Sequence, residues 1–340
     1  MKKILVTGGT GYIGSHTAVE LINEGFEVVI IDNLHNSDEA VLDGIKAITG
    51  VRPEFHNFDL CDRKKLEDFC VRTGKIDAIV HFAAFKAVGE SVDKPLEYYR
   101  NNLVSLMNLL EMMKQYEIPA LVFSSSCTVY GQPDKLPVTE ESPVKEAESP
   151  YGYTKQTGEI IIRDTMAAIS SLKAVALRYF NPIGAHPSAM IGELPRGVPE
   201  NLVPYITQTA IGLRDELKVF GNDYDTPDGS CIRDYLHVVD LAKAHAVALE
   251  RMLEGENKSN YEVFNLGTGS GVSVLEAISS FERVSGVKVR YTIAGRRAGD
   301  IEKIWADPSL ANRELGWKTV STLDQAMETA WQWEKKIRNK

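Results

Sequence analysis

A tyrosine and a lysine one helical turn apart, Tyr151 and Lys155, stand in the run Tyr-Gly-Tyr-Thr-Lys at the start of a segment with helical periodicity. On a helix this spacing puts phenol and ammonium on one face, where the cation favours phenolate and lowers the phenol from its ordinary value of about 10. Tyr151 is therefore expected to act as a general base toward a hydroxyl proton. Of the thirteen tyrosines, only Tyr151 has Lys or Arg four positions further on. Upstream, Ser124-Ser125-Ser126 closes an apolar run, so one of these hydroxyls can face the same substrate.

A second constellation opens the chain. Gly8, Gly11 and Gly14 follow the apolar run Ile4–Thr7 and precede a helical pattern that begins at Tyr12 and Ile13. Glycines leave no side chain between backbone and ligand, and a helix N-terminus presents unpaired N–H groups and the positive end of its dipole. The pattern suits a dinucleotide pyrophosphate. A P-loop would need Lys after its last glycine; here Ser15 and His16 follow, which excludes an ATPase or kinase of that type. Asp32 ends the next apolar run, about twenty residues beyond the glycines, where a carboxylate accepts from the ribose 2′-OH of NAD and repels the extra phosphate of NADP. Asp59, after Phe55–Phe58, is suited to the adenine amino group.

The elements that must carry these residues follow from periodicity. Apolar runs at Ile4–Thr7, Val28–Asp32, Ala78–Phe82, Leu121–Ser125 and Ala174–Tyr179 read as strands. Between them lie helical patterns at Tyr12–Asn23, Ala40–Ile48, Lys64–Val71, Tyr98–Tyr116 and Tyr151–Ile169. Alternation of this kind predicts a doubly wound parallel α/β sheet of the Rossmann type, with ligands beyond the carboxyl ends of the strands. Composition changes at Asn181-Pro182-Ile183-Gly184, and the Gly- and Pro-rich stretch to Pro204 reads as a binding loop or lid. The expected division is a dinucleotide-binding domain over residues 1–181 and a smaller α/β substrate-binding domain over 182–340, with about 231–266 able to pack back on the first. In the second part, helical patterns cover Leu202–Leu213 and Val239–Leu253, a strand covers Tyr261–Leu266, and Ser273-x-x-Glu276 and Thr322-x-x-Gln325 read as helix starts.

Composition narrows the function classes. With 340 residues, 44% hydrophobic and 25% charged, the chain is an ordinary globular protein with a large core. A net charge of -9 argues against a nucleic-acid partner. Cys61, Cys70, Cys127 and Cys231 show neither paired nor metal-ligand spacing, so no metal is expected. Met1-Lys2-Lys3 runs directly into a strand, no apolar run approaches the ~20 residues of a membrane span, and a cytoplasmic protein with no membrane partner is expected.

The chain resembles the extended short-chain dehydrogenase/reductase family, and within it the enzymes that invert carbon 4 of a nucleotide sugar. The resemblance covers almost the whole length. It is carried by Gly8-Gly9-Thr10-Gly11-Tyr12-Ile13-Gly14-Ser15-His16, His81-Phe82-Ala83-Ala84-Phe85-Lys86, Lys94-Pro95-Leu96-Glu97-Tyr98-Tyr99, Ser124-Ser125-Ser126-Cys127-Thr128-Val129-Tyr130-Gly131, Ser149-Pro150-Tyr151-Gly152, Arg178-Tyr179-Phe180-Asn181-Pro182 and Arg233-Asp234-Tyr235-Leu236-His237-Val238. It implies Ser126, Tyr151 and Lys155 as the catalytic set, and a tightly held NAD lined by Gly8, Gly11, Tyr12, Ile13, Gly14, Asp32, Asn33, Asn36, Ser37, Asp59, Leu60, Phe82, Ala83, Lys86, Asn101, Tyr151, Lys155 and Tyr179. For a UDP-sugar it implies Lys86, Ser126, Tyr151, Asn181, Asn201, Leu202, Phe220, Arg233, Arg297 and Asp300. Two guanidiniums can clamp a diphosphate and Phe220 can pack beside uracil. The implied reaction is interconversion of UDP-glucose and UDP-galactose through a 4-keto sugar. The apolar helical surface Leu103–Met113 is expected either to pair in a homodimer or to pack against the sheet.

Three comparisons with related proteins bear on the reaction. Related dehydratases have an Asp-Glu pair after the active-site hydroxyl residue, and decarboxylases a Glu nearby; here Cys127 and Thr128 stand there. With no carboxylate to drive a second step, reversal of the first is the expected outcome. A non-catalytic NAD-sensing relative would be expected to lack Tyr151 or Lys155. Ile304 occupies the position at which related enzymes use a bulky Tyr or a small residue to exclude or admit N-acetyl sugars.

Overall fold

The computed structural model describes residues 1–297 and 300–339. The first half alternates strands and helices: β1 (Lys3–Thr7), α1 (Tyr12–Asn23), β2 (Glu27–Asp32), α2 (Val41–Thr49), β3 (Glu54–Asn57), α3 (Arg63–Thr73) and β4 (Ala78–His81). Short helices α4 (Val88–Asp93) and α5 (Pro95–Tyr99) lead through a π turn at Arg100–Val104 into α6 (Ser105–Gln115) and β5 (Ala120–Ser124). After a tight turn at Cys127–Tyr130 come α7 (Pro150–Ala168) and β6 (Lys173–Tyr179). The second half contains β7 (Asn181–Ile183), α8 (Leu202–Ala210), β8 (Leu217–Phe220), β9 (Ile232–Arg233), β10 (Tyr235–His237), α9 (Val238–Leu253) and β11 (Tyr261–Leu266). It ends with β12 (Val272–Ser273), α10 (Val274–Ser285), β13 (Tyr291–Ala294), α11 (Ser309–Glu314) and α12 (Leu323–Ile337).

Strand order β11-β6-β5-β4-β1-β2-β3 makes one seven-stranded sheet, parallel at every pairing. Because successive side chains of a strand point to opposite faces, β1 feeds two cores. Ile4 and Val6 pack with Leu21 of α1, Leu42 and Ile45 of α2 and Leu249 of α9. Leu5 packs with Leu66 of α3, Leu109 of α6 and Ile162 of α7 on the other side. Both faces are thus covered by helices, which is why the strands read as continuous apolar runs. β11 and α9 come late in the chain but join this sheet and its helical layer. A third core, with Val203, Ile206, Val219, Ile278, Phe281 and Met327, holds α8, α10 and α12 together.

Local chemistry sets the boundaries. Both expected boxes form, Ser273 with Glu276 and Thr322 with Gln325, satisfying orphan N–H groups at the starts of α10 and α12. The expected single helix over Tyr98–Tyr116 is broken instead: Pro95 opens α5, and the π turn widens the backbone at Arg100–Val104 before α6 continues. Most of the apolar surface of α6 faces the sheet, with Leu106, Leu109, Leu110, Met112 and Met113 buried there. Among the described residues no helix is long and apolar enough to cross a membrane.

Candidate active site

Ser126 follows β5 in extended conformation and caps the Cys127–Tyr130 turn, its Oγ accepting from Thr128 N at 3.2 Å. Tyr151 enters on the first turn of α7, which Ser149 caps by accepting from Gly152 N at 3.2 Å and Pro150 opens with its preset φ. Lys155 is one turn further along and buried, donating from Nζ to the Ser124 carbonyl at 2.6 Å. Tyr179, at the end of β6, shares a 2.7 Å hydrogen bond with the Ser124 hydroxyl. Ser124, Ser126, Tyr151, Lys155 and Tyr179 therefore gather at the carboxyl ends of two adjacent strands.

The protonation expected for Tyr151 is not what the surroundings give. Burial pushes its phenol well above the ordinary value, Tyr179 adds to that, and the Ser126 hydroxyl opposes it. Lys155 lies 5.8 Å from the Tyr151 ring centre and directs its ammonium at a backbone carbonyl, so its charge does not offset the burial of the phenol. Lys155 is itself lowered to about 8 by burial, with Glu159 acting against that shift. The chain alone thus holds Tyr151 as a neutral phenol, and lowering it requires a further positive charge.

The glycine turn has two kinds of position. At Gly8 (φ +70°) a Cβ would sit 2.7 Å from Ala83 N, and at Gly14 it would sit 2.2 Å from Gly8 O, so both are required by packing within the protein. At Gly11 a Cβ would meet only Gly8 O, at 3.1 Å. Gly11 is the N-cap of α1 without a side-chain cap, leaving its turn open to an anion. Phe82 and Ala83 border this turn directly. Asp32 accepts from Leu34 N at 2.9 Å, Ser37 Oγ at 3.1 Å and Thr10 N at 3.3 Å, which leaves acceptor capacity on a carboxylate. Asn33 donates to Asp59 at 3.2 Å, Leu60 is buried beside them with its carbonyl held by Asn108, and Asn36 is exposed on the same loop. Open helix end, spare carboxylate acceptor and flanking amides fit the adenosine and pyrophosphate portions of a dinucleotide.

Asn101 is turned toward Asn102 by the π segment. Asn102 had no role from sequence, yet it is a hub: it exchanges bonds with Phe85 N (2.8 Å) and Phe85 O (3.0 Å), and donates to Thr154 of α7 at 3.0 Å. Its only local signal is a polar residue in an otherwise helical apolar pattern. Lys86, just beyond, faces Glu193 at 3.4 Å, and Glu193 also accepts from Asn201 at 2.6 Å.

On the substrate side, Arg297 forms a two-point pair with Asp300 (2.7 and 3.2 Å), and Arg233 approaches the same carboxylate at 3.9 Å. The Arg297 guanidinium lies 5.5 Å over the Phe220 ring. Four residues from distant parts of the sequence thus form one cluster. Asn181 is linked to it through β7–β10 pairing, its N donating to Asp234 O at 2.9 Å. Leu202 opens α8 directly after Asn201. Asp234, also without a role from sequence, is buried and accepts from Thr268, Gly269 and Ala306, fixing the base of this cluster. Ile304 is buried with Val129, Tyr130 and Phe180 and packs near Cys127.

A helix-covered parallel sheet with an open glycine turn and a Ser–Tyr–Lys set at its strand ends defines an extended short-chain dehydrogenase/reductase. The family model described as GDP-mannose 4,6 dehydratase matches residues 5–330. The UDP-glucose 4-epimerase of Bacillus subtilis (strain 168) is 51% identical over 97% of this chain and 96% of that protein. A crystal structure of UDP-glucose 4-epimerase from Bifidobacterium longum, in complex with NAD+ and UDP, superposes with a TM-score of 0.95 at 46% identity, covering 99% of each chain. Another, from Stenotrophomonas maltophila with bound NAD and formylated UDP-arabinopyranose, gives 0.96 at 47% identity over 100% of this chain and 99% of that one. The chain belongs to the UDP-glucose 4-epimerase family.

Proposed function

We propose that the protein interconverts UDP-glucose and UDP-galactose, an isomerase reaction of galactose metabolism that uses NAD without consuming it. The observation that carries this reading is the convergence of Ser126, Tyr151 and Lys155 beside an open glycine turn, with Cys127 and Thr128 where a second-step acid and base would stand. The chemistry that bound NAD supplies is reversible hydride acceptance at sugar carbon 4, so that rotation of a transient 4-keto sugar inverts that carbon without net redox change. Gly11, Asp32 and Asn33 would hold its adenosine diphosphate part, and Lys86, Asn101, Lys155 and Tyr179 the nicotinamide part.

Tyr151 takes the proton of the sugar 4-hydroxyl, with Ser126 sharing it through a hydrogen bond. Since burial holds the phenol neutral in the chain alone, Tyr151 would become an effective base with positive charge added to that of Lys155, which oxidised NAD would supply on binding. Arg233 and Arg297 exchange Asp300 for the diphosphate, and Phe220, Asn201 and Leu202 hold uridine while Asn181 contacts the sugar. Anchoring through UDP leaves the sugar itself free to turn. UDP-glucose and UDP-galactose are the proposed substrates; Ile304, an aliphatic of middle size packed near Cys127, does not by itself select against the N-acetylated forms, which a direct assay decides.

We read 1–181 as the NAD unit and 182–340 as the nucleotide-sugar unit, with α9 and β11 of the latter built into the former's sheet. The reading includes a cytoplasmic location and a homodimer. For the dimer, Val71 and Met107 remain exposed on α3 and α6, and equilibrium sedimentation is the check.

The decisive test is incubation of purified protein with UDP-galactose and no added NAD, following UDP-glucose and extracting bound NAD. Epimer formation with recovered NAD is expected; a 4-keto-6-deoxy product or no product overturns the reading. Tyr151→Phe should lose about 10²–10⁴-fold in turnover while keeping NAD, and undiminished turnover removes Tyr151 from its role.

A further inference from the structure

The segment Gly184–Asn201 has almost no regular structure beyond an isolated bridge between Ala185 and Gly192. It is nevertheless tied at intervals to three of the loops that the proposed reading gives to NAD. At its start, Tyr12 of the glycine turn donates to Gly184 O at 2.6 Å. In its middle, Glu193 faces Lys86 from the loop after β4 at 3.4 Å. Further on, Arg196 donates to the carbonyls of His35, at 3.2 Å, and Ser37 in the loop after β2. The Ser37 hydroxyl passes that connection inward, bonding to Asp32 at 3.1 Å and to Thr10 at 2.7 Å. A continuous hydrogen-bonded path thus runs from a surface arginine to the carboxylate assigned to the cofactor ribose.

The segment is pinned from both sides. Toward the sheet, Ile191 is buried in the core that contains Leu42 and Ile45 of α2. The backbone of Met190 lies so close to α2 that a Cβ on Gly44 would stand 2.5 Å from its carbonyl oxygen. Toward α12, Gly192 lies against the Trp333 ring, where a Cβ would approach to 2.5 Å, and Trp333 Nε1 donates to Glu193 O at 2.8 Å. Ala185 N donates to Thr329 of the same helix at 3.1 Å. A free binding loop would not need close backbone packing on α2 and α12 together with polar ties to three separate loops.

We infer that Gly184–Asn201 is a cofactor-retaining strap, closed by Arg196 on the His35–Ser37 loop and seated by Gly44 on α2. The inference rests on the proposed NAD-dependent function. NAD leaves only when the ties of the strap to the glycine turn, the His35–Ser37 loop and Lys86 part together, so its release is slow relative to turnover. Such retention suits a reaction in which the hydride removed from a sugar must return to the same sugar. Arg196 is a positioning residue here: it touches backbone, not reacting atoms.

The test uses the intact holoenzyme and reads cofactor exchange, not activity. Protein carrying its own NAD is mixed with excess isotope-labelled NAD, and the bound pool is sampled by mass spectrometry over time. Arg196→Ala removes a charge-assisted pair of hydrogen bonds and should speed exchange about tenfold or more. Gly44→Ala should do the same by lifting Met190 from α2, and Arg313→Ala, an exposed arginine on α11, should exchange like the parent. Arg196 is on the surface, so its variant is expected to fold, with circular dichroism as the check. Parent protein that keeps NAD while both strap variants keep it equally long overturns the strap alone. Parent protein that neither contains nor takes up NAD overturns the functional reading, and the strap with it.

Discussion

Two arginine–carboxylate pairs in this molecule have the same two-point geometry and opposite surroundings. Arg178 binds Glu159 at 2.9 and 2.6 Å with side chains only 8% and 9% exposed. Arg297 binds Asp300 at 3.2 and 2.7 Å with side chains 56% and 12% exposed, so only the guanidinium reaches solvent. The buried pair stands behind Ser126, Tyr151 and Lys155. Glu159 is one turn past Lys155 and accepts from Ser125 at 2.6 Å, while Arg178 precedes Tyr179 and donates to Tyr130 at 3.0 Å. Tyr130 in turn donates to Asn265 of β11 at 2.6 Å. Each side chain of this brace is bonded within the protein and buried from solvent. The half-open pair is the proposed socket: water competes for the Arg297 guanidinium, which on the proposed reading would turn to a diphosphate. Burial, and not the identity of the two groups, separates brace from socket.

The largest expected effect tests the brace. Glu159→Ala strands a buried guanidinium and should cost about 3–5 kcal/mol of stability in urea denaturation; a loss below about 1 kcal/mol would make the two pairs equivalent. A smaller effect on the same side of the comparison comes from acid. Burial lowers His16 and His81 to about 3 and His245 to about 4, opposed at His16 and His245 by backbone carbonyls and reinforced at His81 by Lys155. Below their ordinary value of about 6.5 the unfolded chain binds protons at these sites before the folded one does. Stability from them is therefore complete above pH ~6.5 and falls as pH drops toward 3–4. Melting temperatures measured from pH 7 to 4 should decline, and the three combined His→Gln changes should flatten that decline; an unchanged slope would contradict it. The smallest effect on stability belongs to the socket. Arg297→Ala should change folding by less than about 1 kcal/mol while raising KM for the UDP-sugar about tenfold; a stability loss as large as that of Glu159→Ala would erase the distinction.

Much of this architecture was legible because it is local. α1 begins at Tyr12 and ends at Asn23 as the periodicity predicts, and the Ser273–Glu276 and Thr322–Gln325 boxes are complete within one turn each. Gly8, with φ of +70°, and Pro150 at the start of α7 act through their own backbones. The active-site hydroxyl, phenol and ammonium were identifiable as a set for the same reason, each being fixed by a strand end or a first helical turn. The helix break at Arg100–Val104 was not legible, since a π turn changes hydrogen-bond partners without changing the apolar stripe. Asn102, Asp234, Glu193 and Arg196 were missed because each works through residues far along the chain.

The amino-acid order alone determines the alternation of strand and helix, the glycine turn with Asp32 beyond it, and the presence of Ser126, Tyr151 and Lys155. These depend on backbone preferences and on spacing within one or two turns. Only the tertiary structure decides their electrostatics. Tyr151 and Lys155 keep the spacing that predicts a lowered phenol, yet folding buries the phenol, which raises it, and turns the ammonium to the Ser124 carbonyl. Desolvation is set by everything packed around a group, and sequence distance carries no record of it.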